Sequence, residues 1–229
     1  MAMLKQQLRL LERITETISY NLDLDEVLMQ VVALVSETMK ADSCLIYLTQ
    51  DHHLILKASK IPHPKMINKV ALRYGEGITG WVAEHRKIVA VSEKAYEDSR
   101  FKFVAQLDAD EDKWEAFVSI PITYKDEVVG VINVQHRKKR QHTETDLSLL
   151  KMIATQVGGA IYNAKLISET RMLKEALETR KVVEKAKGML MKQQHLSEDA
   201  AYSLIRKKSM DMKKTMKEVA EAILLTLSL

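Results

Sequence analysis

Residues 122–229 contain no proline, and this uninterrupted stretch constrains the fold more than any other feature of the sequence. From Thr143, a candidate helix cap, apolar residues recur every three or four positions, the spacing of one helix face. They are Leu150, Ile153, Val157, Ala160 and Ala164, followed in a second register by Leu166, Thr170, Leu173 and Leu177. The pattern predicts one long helix. Its second register predicts a coiled-coil seam between two copies of the chain.

The segment Arg180–Ser209 carries a glycine inside a helical pattern. Its apolar face comprises Val182, Val183, Ala186, Met189 and Leu190. Lys181, Lys185 and Lys192 form a second stripe, on which Gly188 also lies. A glycine inside a helix costs about 1 kcal/mol relative to alanine, so something must require the missing side chain. Two explanations remain open: tight helix packing, or close approach by another helix or a ligand backbone.

Two shorter helices are predicted to follow. Ser197 can cap the first, because acidic residues come next, where the helix dipole favours them. Thr215 and Glu218 form a capping box that opens the second helix. The run Asp211–Lys214 is predicted to connect them, which gives a small three-helix module at the C-terminal end.

Basic residues are concentrated in this module. Residues 174–229 contain twelve lysine or arginine residues and eight acidic ones, whereas the first 173 residues contain twenty-three of each. The whole formal excess of +4 therefore lies in the last quarter of the chain. Such asymmetry on a small helical module is typical of nucleic-acid binding, although a solvated lysine-rich surface also fits the charge alone.

The most specific motif of the module is Ala186-Lys187-Gly188 with its spacing to Ser197-Glu198-Asp199-Ala200. Further matching residues are Ala176-Leu177, Arg180, Val182-Val183-Glu184, Leu190-Met191, Leu204, Ser209 and Val219-Ala220. Together they resemble the ANTAR domain, a three-helix RNA-binding module of bacterial transcription antiterminators, except that Lys208 replaces a small residue. The resemblance implies binding to paired RNA hairpins in competition with a transcription terminator. The candidate RNA contacts are Arg180, Lys181, Lys185, Lys187, Gly188, Lys192, Arg206, Lys207, Lys208, Lys213 and Lys214.

The rest of the composition argues against a disulfide-bonded, membrane-spanning or secreted protein. The only cysteine, Cys44, excludes internal disulfides and multi-cysteine metal sites. No run approaches the roughly 18 apolar residues of a membrane-spanning helix, and the charged N-terminal pattern is not a secretory signal. We therefore expect a cytoplasmic protein. Amphipathic helices are predicted at residues 3–19 and from Leu24 to Met39.

From Ser43 the apolar pattern changes to a period of two, which is typical of strands. Apolar residues on both faces of the last two strands predict helices on both sides of the sheet. The turn-like residues Lys125–Glu127 join these two strands into a hairpin. The six predicted strands are Cys44–Thr49, Leu54–Ser59, Val70–Tyr74, Ile88–Val91, Ala116–Tyr124 and Val128–Gln135.

The glycine motif Gly75–Gly80 matches a dinucleotide-binding fingerprint by letter. The short helix after it and the lack of an acidic ribose partner favour a tight strand-to-helix turn instead. With Phe117–Ile122 and Val128–Gln135, this motif resembles the GAF domain over residues 22–165. The resemblance implies an antiparallel sheet with helices and a small-molecule pocket. The predicted fold class is α+β: a GAF-like sheet, a long helical linker and a three-helix ANTAR bundle.

Aromatic residues mark the predicted pocket, although they also fit a plain core in a domain that only dimerises. Cyclic-nucleotide binding is disfavoured because Gln106 and Ile122 stand where that signature has phenylalanine, and sulfoxide reduction requires several cysteines. No metal site is expected at His52-His53 or at the acidic run 108–112, which lacks the glycine and glutamate of a calcium loop. The candidate ligand contacts are Tyr74, Trp81, Phe101, Phe103 and Trp114.

The sequence thus predicts two domains, a GAF-like sensor at residues 1–165 and an ANTAR-like RNA-binding domain at residues 166–229. We expect a non-enzymatic, ligand-responsive regulator that needs no cofactor, forms a homodimer and prevents transcription termination by binding paired hairpins. Two alternatives remain: a DNA-binding regulator, or a GAF-driven dimer with a protein-docking bundle. Spread-out lysines suit phosphate contact better than base readout. The ligand, the target transcript and the direction of control are not specified by the sequence.

Overall fold

The computed structural model of the chain describes residues 23–60, 66–102 and 113–227. Its internal contacts divide the chain into two units, Met1–Ala164 and Lys165–Leu229. The helix predicted at residues 3–19, the candidate Phe103 and the acidic run 108–112 lie outside the described residues.

Helix α1 spans Leu24–Met39, as predicted from its apolar spacing. Asp23 caps it, because its carboxylate accepts hydrogen bonds from the backbone N–H groups of Asp25 and Glu26. The helix ends at Lys40, which adopts a left-handed conformation. Its buried side includes Val27, Val31, Val35 and Met39, the four residues that the periodicity selects.

The first unit contains a six-stranded antiparallel sheet of order β3-β2-β1-β6-β5-β4. All six predicted strands are confirmed, with ends that differ by at most one residue, and β5 and β6 form the predicted hairpin. The strands are β1 Ser43–Gln50, β2 His53–Ser59, β3 Ala71–Arg73, β4 Val89–Val91, β5 Ala116–Tyr124 and β6 Glu127–His136.

Both faces of the sheet are covered, as the apolar strands predict. Alternate residues of β1 point to opposite sides, so Ile46 and Tyr47 belong to different cores. One core contains α1 and the start of α3, a helix that spans Glu144–Gln194. The other contains α2, which spans Gly77–His85.

The glycine motif makes a turn between β3 and α2. Gly75 and Gly77 have positive φ angles of 79° and 68°, which side chains with a Cβ rarely adopt. A Cβ on Gly80 would lie 2.3 Å from the Arg73 carbonyl oxygen. The motif therefore serves the tight turn that its context predicts.

Helix α3 confirms the long helix expected from the proline-free stretch. The predicted cap is present: Thr143 Oγ1 accepts from the Asp146 backbone N–H, and Asp146 accepts from that of Thr143. The division between the two units falls within this helix. Among the described residues, no helix combines the length and the apolar character needed to cross a membrane.

In the second unit, the end of α3 packs with α4, Glu198–Met212, and α5, Met216–Leu227. Ser197 caps α4 and the Thr215–Glu218 box opens α5, both as predicted. The predicted connector is shorter than expected, because α4 continues to Met212. The shared core comprises Val183, Ala186, Leu190, Ala201, Ile205, Val219, Ala220 and Ile223.

Candidate nucleic-acid interface and ligand pocket

One face of α3 presents an exposed basic stripe. Lys181, Lys185 and Lys192 are all exposed, and they recur at spacings of four and seven residues, which keeps them on one side of the helix. Among the described residues, no carboxylate lies within ion-pair distance of any of the three. We call these three residues the α3 lysine stripe. It is a set of uncompensated positive charges facing solvent.

Gly188 lies on this stripe and is itself exposed. A Cβ at this position would meet nothing within 4 Å. The explanation by tight helix packing therefore fails within the described chain. What remains is close approach by something outside it.

Lys187 is not part of the α3 lysine stripe and differs from it in its surroundings. Its side chain is only 10% exposed, and its ammonium group lies 2.8 Å from Glu184 and 2.7 Å from Glu198. The hydrogen bond that Lys187 donates to Glu184, and then the one it donates to Glu198, raise the pKa of Lys187. Because Glu198 begins α4, this lysine joins α3 to the first turn of the next helix. Its charge is already compensated, unlike those of the α3 lysine stripe.

The other candidate RNA contacts are exposed but not gathered on one face. Arg180 lies before the stripe, and Arg206 and Lys207 follow the buried Ile205 on α4. Lys213 ends α4 in a left-handed conformation.

The remaining candidates, Lys208 and Lys214, line an apolar groove of about 440 Å³ in the three-helix unit. Leu190, Leu204 and Val219 contribute to its walls. These two lysines therefore belong to a surface of different character from the α3 lysine stripe.

The first unit contains a pocket of only about 30 Å³, enough for roughly one water molecule. Two polar lining residues are hydrogen-bonded to each other, because Asn133 donates to Thr79 over 2.7 Å. The side-chain oxygen of Asn133 accepts from Ser119 on the neighbouring strand, also over 2.7 Å. Gln135 lines the same pocket. Sequence reasoning missed these residues, although Asn133 and Gln135 alternate with apolar residues in β6 and so share one face.

Of the four aromatic candidates within the described ranges, only Phe101 lines this pocket. Tyr74 hydrogen-bonds to Thr49, over 3.1 Å, and donates to the Val128 carbonyl. Trp81 stacks on a histidine, and Trp114 is 1% exposed within the fold. The described aromatic candidates are therefore not all gathered around this pocket, although Tyr74, Trp81 and Phe101 pack against the same core.

The buried His136 and the half-buried His142 lie near the end of β6. The rings of His136 and His142 are 5.2 Å apart, and the described groups offer no hydrogen-bond partner to His136 Nε2. Burial, followed by the positive charge of Arg140, lowers the pKa of His136 to about 4, so the ring is neutral at pH 7.

The described residues offer no reactive thiol or metal cluster. Cys44 is fully buried, and burial raises the pKa of its thiol to about 12, which suppresses the thiolate. No group of three or more histidine, cysteine or acidic residues in the described ranges is placed to hold a metal ion.

Comparisons with known proteins agree with this geometry. The family model of the GAF domain matches residues 23–161, and that of the ANTAR domain matches residues 171–224. The GAF domain from the Acinetobacter phosphoenolpyruvate-protein phosphotransferase is 29% identical, with a TM-score of 0.63 over 72% of this chain and 98% of that chain.

Two curated relatives match shorter stretches. The transcriptional regulatory protein PdtaR of Mycobacterium tuberculosis is 47% identical over 62 residues, which are 27% of this chain and 30% of the relative. The nitrate regulatory protein of Klebsiella oxytoca is 43% identical over 60 residues, 26% of this chain and 15% of the relative. The chain thus spans less than a third of either relative's length. By the match over most of its length, the chain belongs to the GAF domain family, and its GAF domain is followed by an ANTAR domain.

Proposed function

We propose that this protein is a ligand-responsive RNA-binding regulator that prevents transcription termination by binding paired RNA hairpins. One observation carries the proposal: the ANTAR match at residues 171–224 contains the exposed, uncompensated α3 lysine stripe. Lysines on a rigid helix suit the phosphates of a folded RNA, because phosphate contacts supply most of such affinity. Such a regulator acts in the cytoplasm, where bacterial transcripts are made.

The relatives support the regulatory part of this proposal. Both curated relatives carry regulatory names, and the first is named a transcriptional regulator. The GAF domain supplies the sensor in this proposal. Its polar pocket residues, Thr79, Asn133 and Gln135, are the groups to which a small ligand would hydrogen-bond after the pocket widens.

A homodimer is part of the proposal, because a single chain presents one lysine stripe and paired hairpins require two. The exposed apolar stripe on α3 supports it. Leu166, Leu173 and Leu177 are 43%, 66% and 58% exposed, and they follow the predicted coiled-coil register. Apolar side chains exposed in a continuous row favour burial against a second copy.

A salt-titrated binding assay separates this function from its alternatives. The probes are a pool of RNAs with two tandem stem–loops and randomised loops, and a duplex DNA of equal length and charge. The proposal expects tighter binding to the RNA pool, weakening as salt rises. Tighter binding to duplex DNA would favour a DNA-binding regulator. Binding to neither would leave a bundle that docks on another protein.

A further inference from the structure

Gly188 is a feature of α3 in the second unit that contacts within the described chain leave unexplained. Three other glycines have internal reasons: a Cβ on Gly80, Gly130 or Gly158 would lie 2.3–2.4 Å from a backbone carbonyl oxygen. At Gly188 a Cβ would meet nothing within 4 Å. Glycine weakens a helix interior, so alanine would be the more stable residue at an open, exposed position.

The surroundings of Gly188 are strongly positive. An ideal α-helix turns about 100° per residue, so Lys181, Lys185 and Lys192 all lie within about 60° of Gly188 around the helix axis. Lys185 and Lys192 flank the glycine, one about 4.5 Å before it and the other about 6 Å after it along the axis. The glycine is thus a low point on the helix surface between two cationic side chains.

The nearest carboxylate does not neutralise this surface. Glu184 lies one turn before Gly188, but its side chain is paired with Lys187. Lys187 also forms an ion pair with Glu198, so both carboxylates are paired with this one largely buried ammonium group. The charges flanking Gly188 therefore remain available to an external anion.

We infer that the phosphodiester backbone of the bound RNA crosses α3 at Gly188, between Lys185 and Lys192. This inference rests on the proposed RNA-binding function and adds to it the contact point on the protein. The missing side chain allows a phosphate to reach the helix surface, while the two lysines donate charge-assisted hydrogen bonds from either side. A methyl group at this position lifts the strand away from both.

A second copy of this chain is a poorer fit to the same place. A symmetric contact at Gly188 would bring the α3 lysine stripe of one copy against that of the other. Like charges in contact repel, whereas a polyanion is attracted to the same stripe. The exposed leucines of residues 166–177 offer a second copy an apolar surface elsewhere on the helix.

The test uses the full chain, the tandem stem–loop RNA pool and the variants Gly188→Ala and Gly188→Gln. The matched control is Gly159→Ala, because Gly159 also lies in α3 and a Cβ there also meets nothing within 4 Å. Both alanine variants are expected to raise Tm by about 2–4 °C. Only the Gly188 variants are expected to weaken RNA binding, by about tenfold for alanine and more for glutamine.

The salt dependence gives a second readout that added helix stability does not alter. Because Gly188→Ala removes no charge, an unobstructed surface would keep its log–log salt slope. We expect the slope to fall by about one, since the obstructed strand loses a phosphate contact. Sedimentation of the free protein is expected to show the same mass for the wild type and both alanine variants.

The possible failures are distinguishable. If the wild type does not bind the RNA pool, the proposed function itself is overturned. If the wild type binds and Gly188→Ala matches it in affinity and salt slope, the contact point is overturned while RNA binding stands. If Gly188→Ala lowers the mass of the free protein, a second copy covers this position and the RNA contact point is again overturned.

Discussion

Gly158 and Gly188 lie in the same helix, yet only the first is explained by contacts within the chain. A Cβ on Gly158 would lie 2.4 Å from the Thr123 carbonyl oxygen, so the sheet requires glycine there. No such neighbour exists for Gly188. The comparison shows how one sequence feature, a helical glycine, serves internal packing in one unit and points outward in the other.

The apolar and charged residues of α3 differ in the same way. In the first unit, Leu150, Ile153 and Val157 are buried in the core beside the sheet. In the second, Leu173 and Leu177 remain exposed and the lysine stripe has no partners among the described residues. Features without an internal explanation are therefore concentrated where the ANTAR domain begins. There they support the external partners proposed above, an RNA and a second copy of the chain.

The largest expected effect comes from charges placed on the exposed apolar stripe. Changing Leu173→Glu and Leu177→Glu together should weaken self-association by on the order of a thousandfold, because burying each leucine contributes about 1.5–3 kcal/mol. Sedimentation over a concentration series measures it. Lys165→Glu, at an exposed charged position on the same helix, is the control. An unchanged mass in the double variant would show that this stripe is not the dimer seam.

The next effect tests the internal half of the comparison. Gly158→Ala should destabilise the first unit by about 1–3 kcal/mol, because its methyl group collides with the Thr123 carbonyl. Both tryptophans, Trp81 and Trp114, lie in this unit, so their fluorescence during urea unfolding reports it. A rise in stability like that expected for Gly188→Ala would erase the distinction between the two glycines.

A third prediction compares two lysines that are two positions apart. Lys185→Met should lower the salt slope of RNA binding by about one and leave the unfolding midpoint nearly unchanged, because Lys185 has no ion-pair partner among the described residues. Lys187→Met should lower the unfolding midpoint and leave the salt slope nearly unchanged, since it leaves Glu184 and Glu198 unpaired. Thermal unfolding and salt-titrated binding of both variants provide the measurements. Equal effects of the two substitutions on RNA binding would contradict the distinction drawn here between the unpaired Lys185 and the ion-paired Lys187.

The smallest effect concerns pH and is confined to the first unit. The pKa of His136 is about 4 in the folded chain against an ordinary 6.5, so between these values only the unfolded chain takes up the proton. Stability should therefore fall as pH drops through this window, by about 0.7 kcal/mol between pH 7 and pH 6. Facing groups are Arg140, His142, Asp42 and Asp146. Urea unfolding of the wild type and His136→Phe at several pH values measures this pH dependence. A pH dependence of stability that remains in His136→Phe would belong to another group.

The fold could be predicted from sequence because its signals are local. Strand alternation, the Thr215–Glu218 box and the proline-free stretch each specify structure within a few residues. The residues of the two candidate sites were harder to predict from the sequence. The burial of Lys187 depends on where Glu198 lies after the chain turns, and the Thr79–Asn133 contact joins positions far apart in sequence. Three-dimensional packing decides which aromatic residues face a cavity, so the aromatic candidates near the glycine motif stay predictions, with Phe101 seen to line the small pocket.

Lysine footprinting tests the central claim most directly, because it reports which cations the RNA covers. The full chain would be treated with an amine-acylating reagent with and without the tandem stem–loop RNA pool. The account predicts protection of Lys181, Lys185 and Lys192, with little change at Lys151, an exposed lysine of the same helix outside the ANTAR match. Unprotected stripe lysines in an RNA-saturated protein would contradict the account, and protection confined to Lys207 and Lys213 would move the interface to α4.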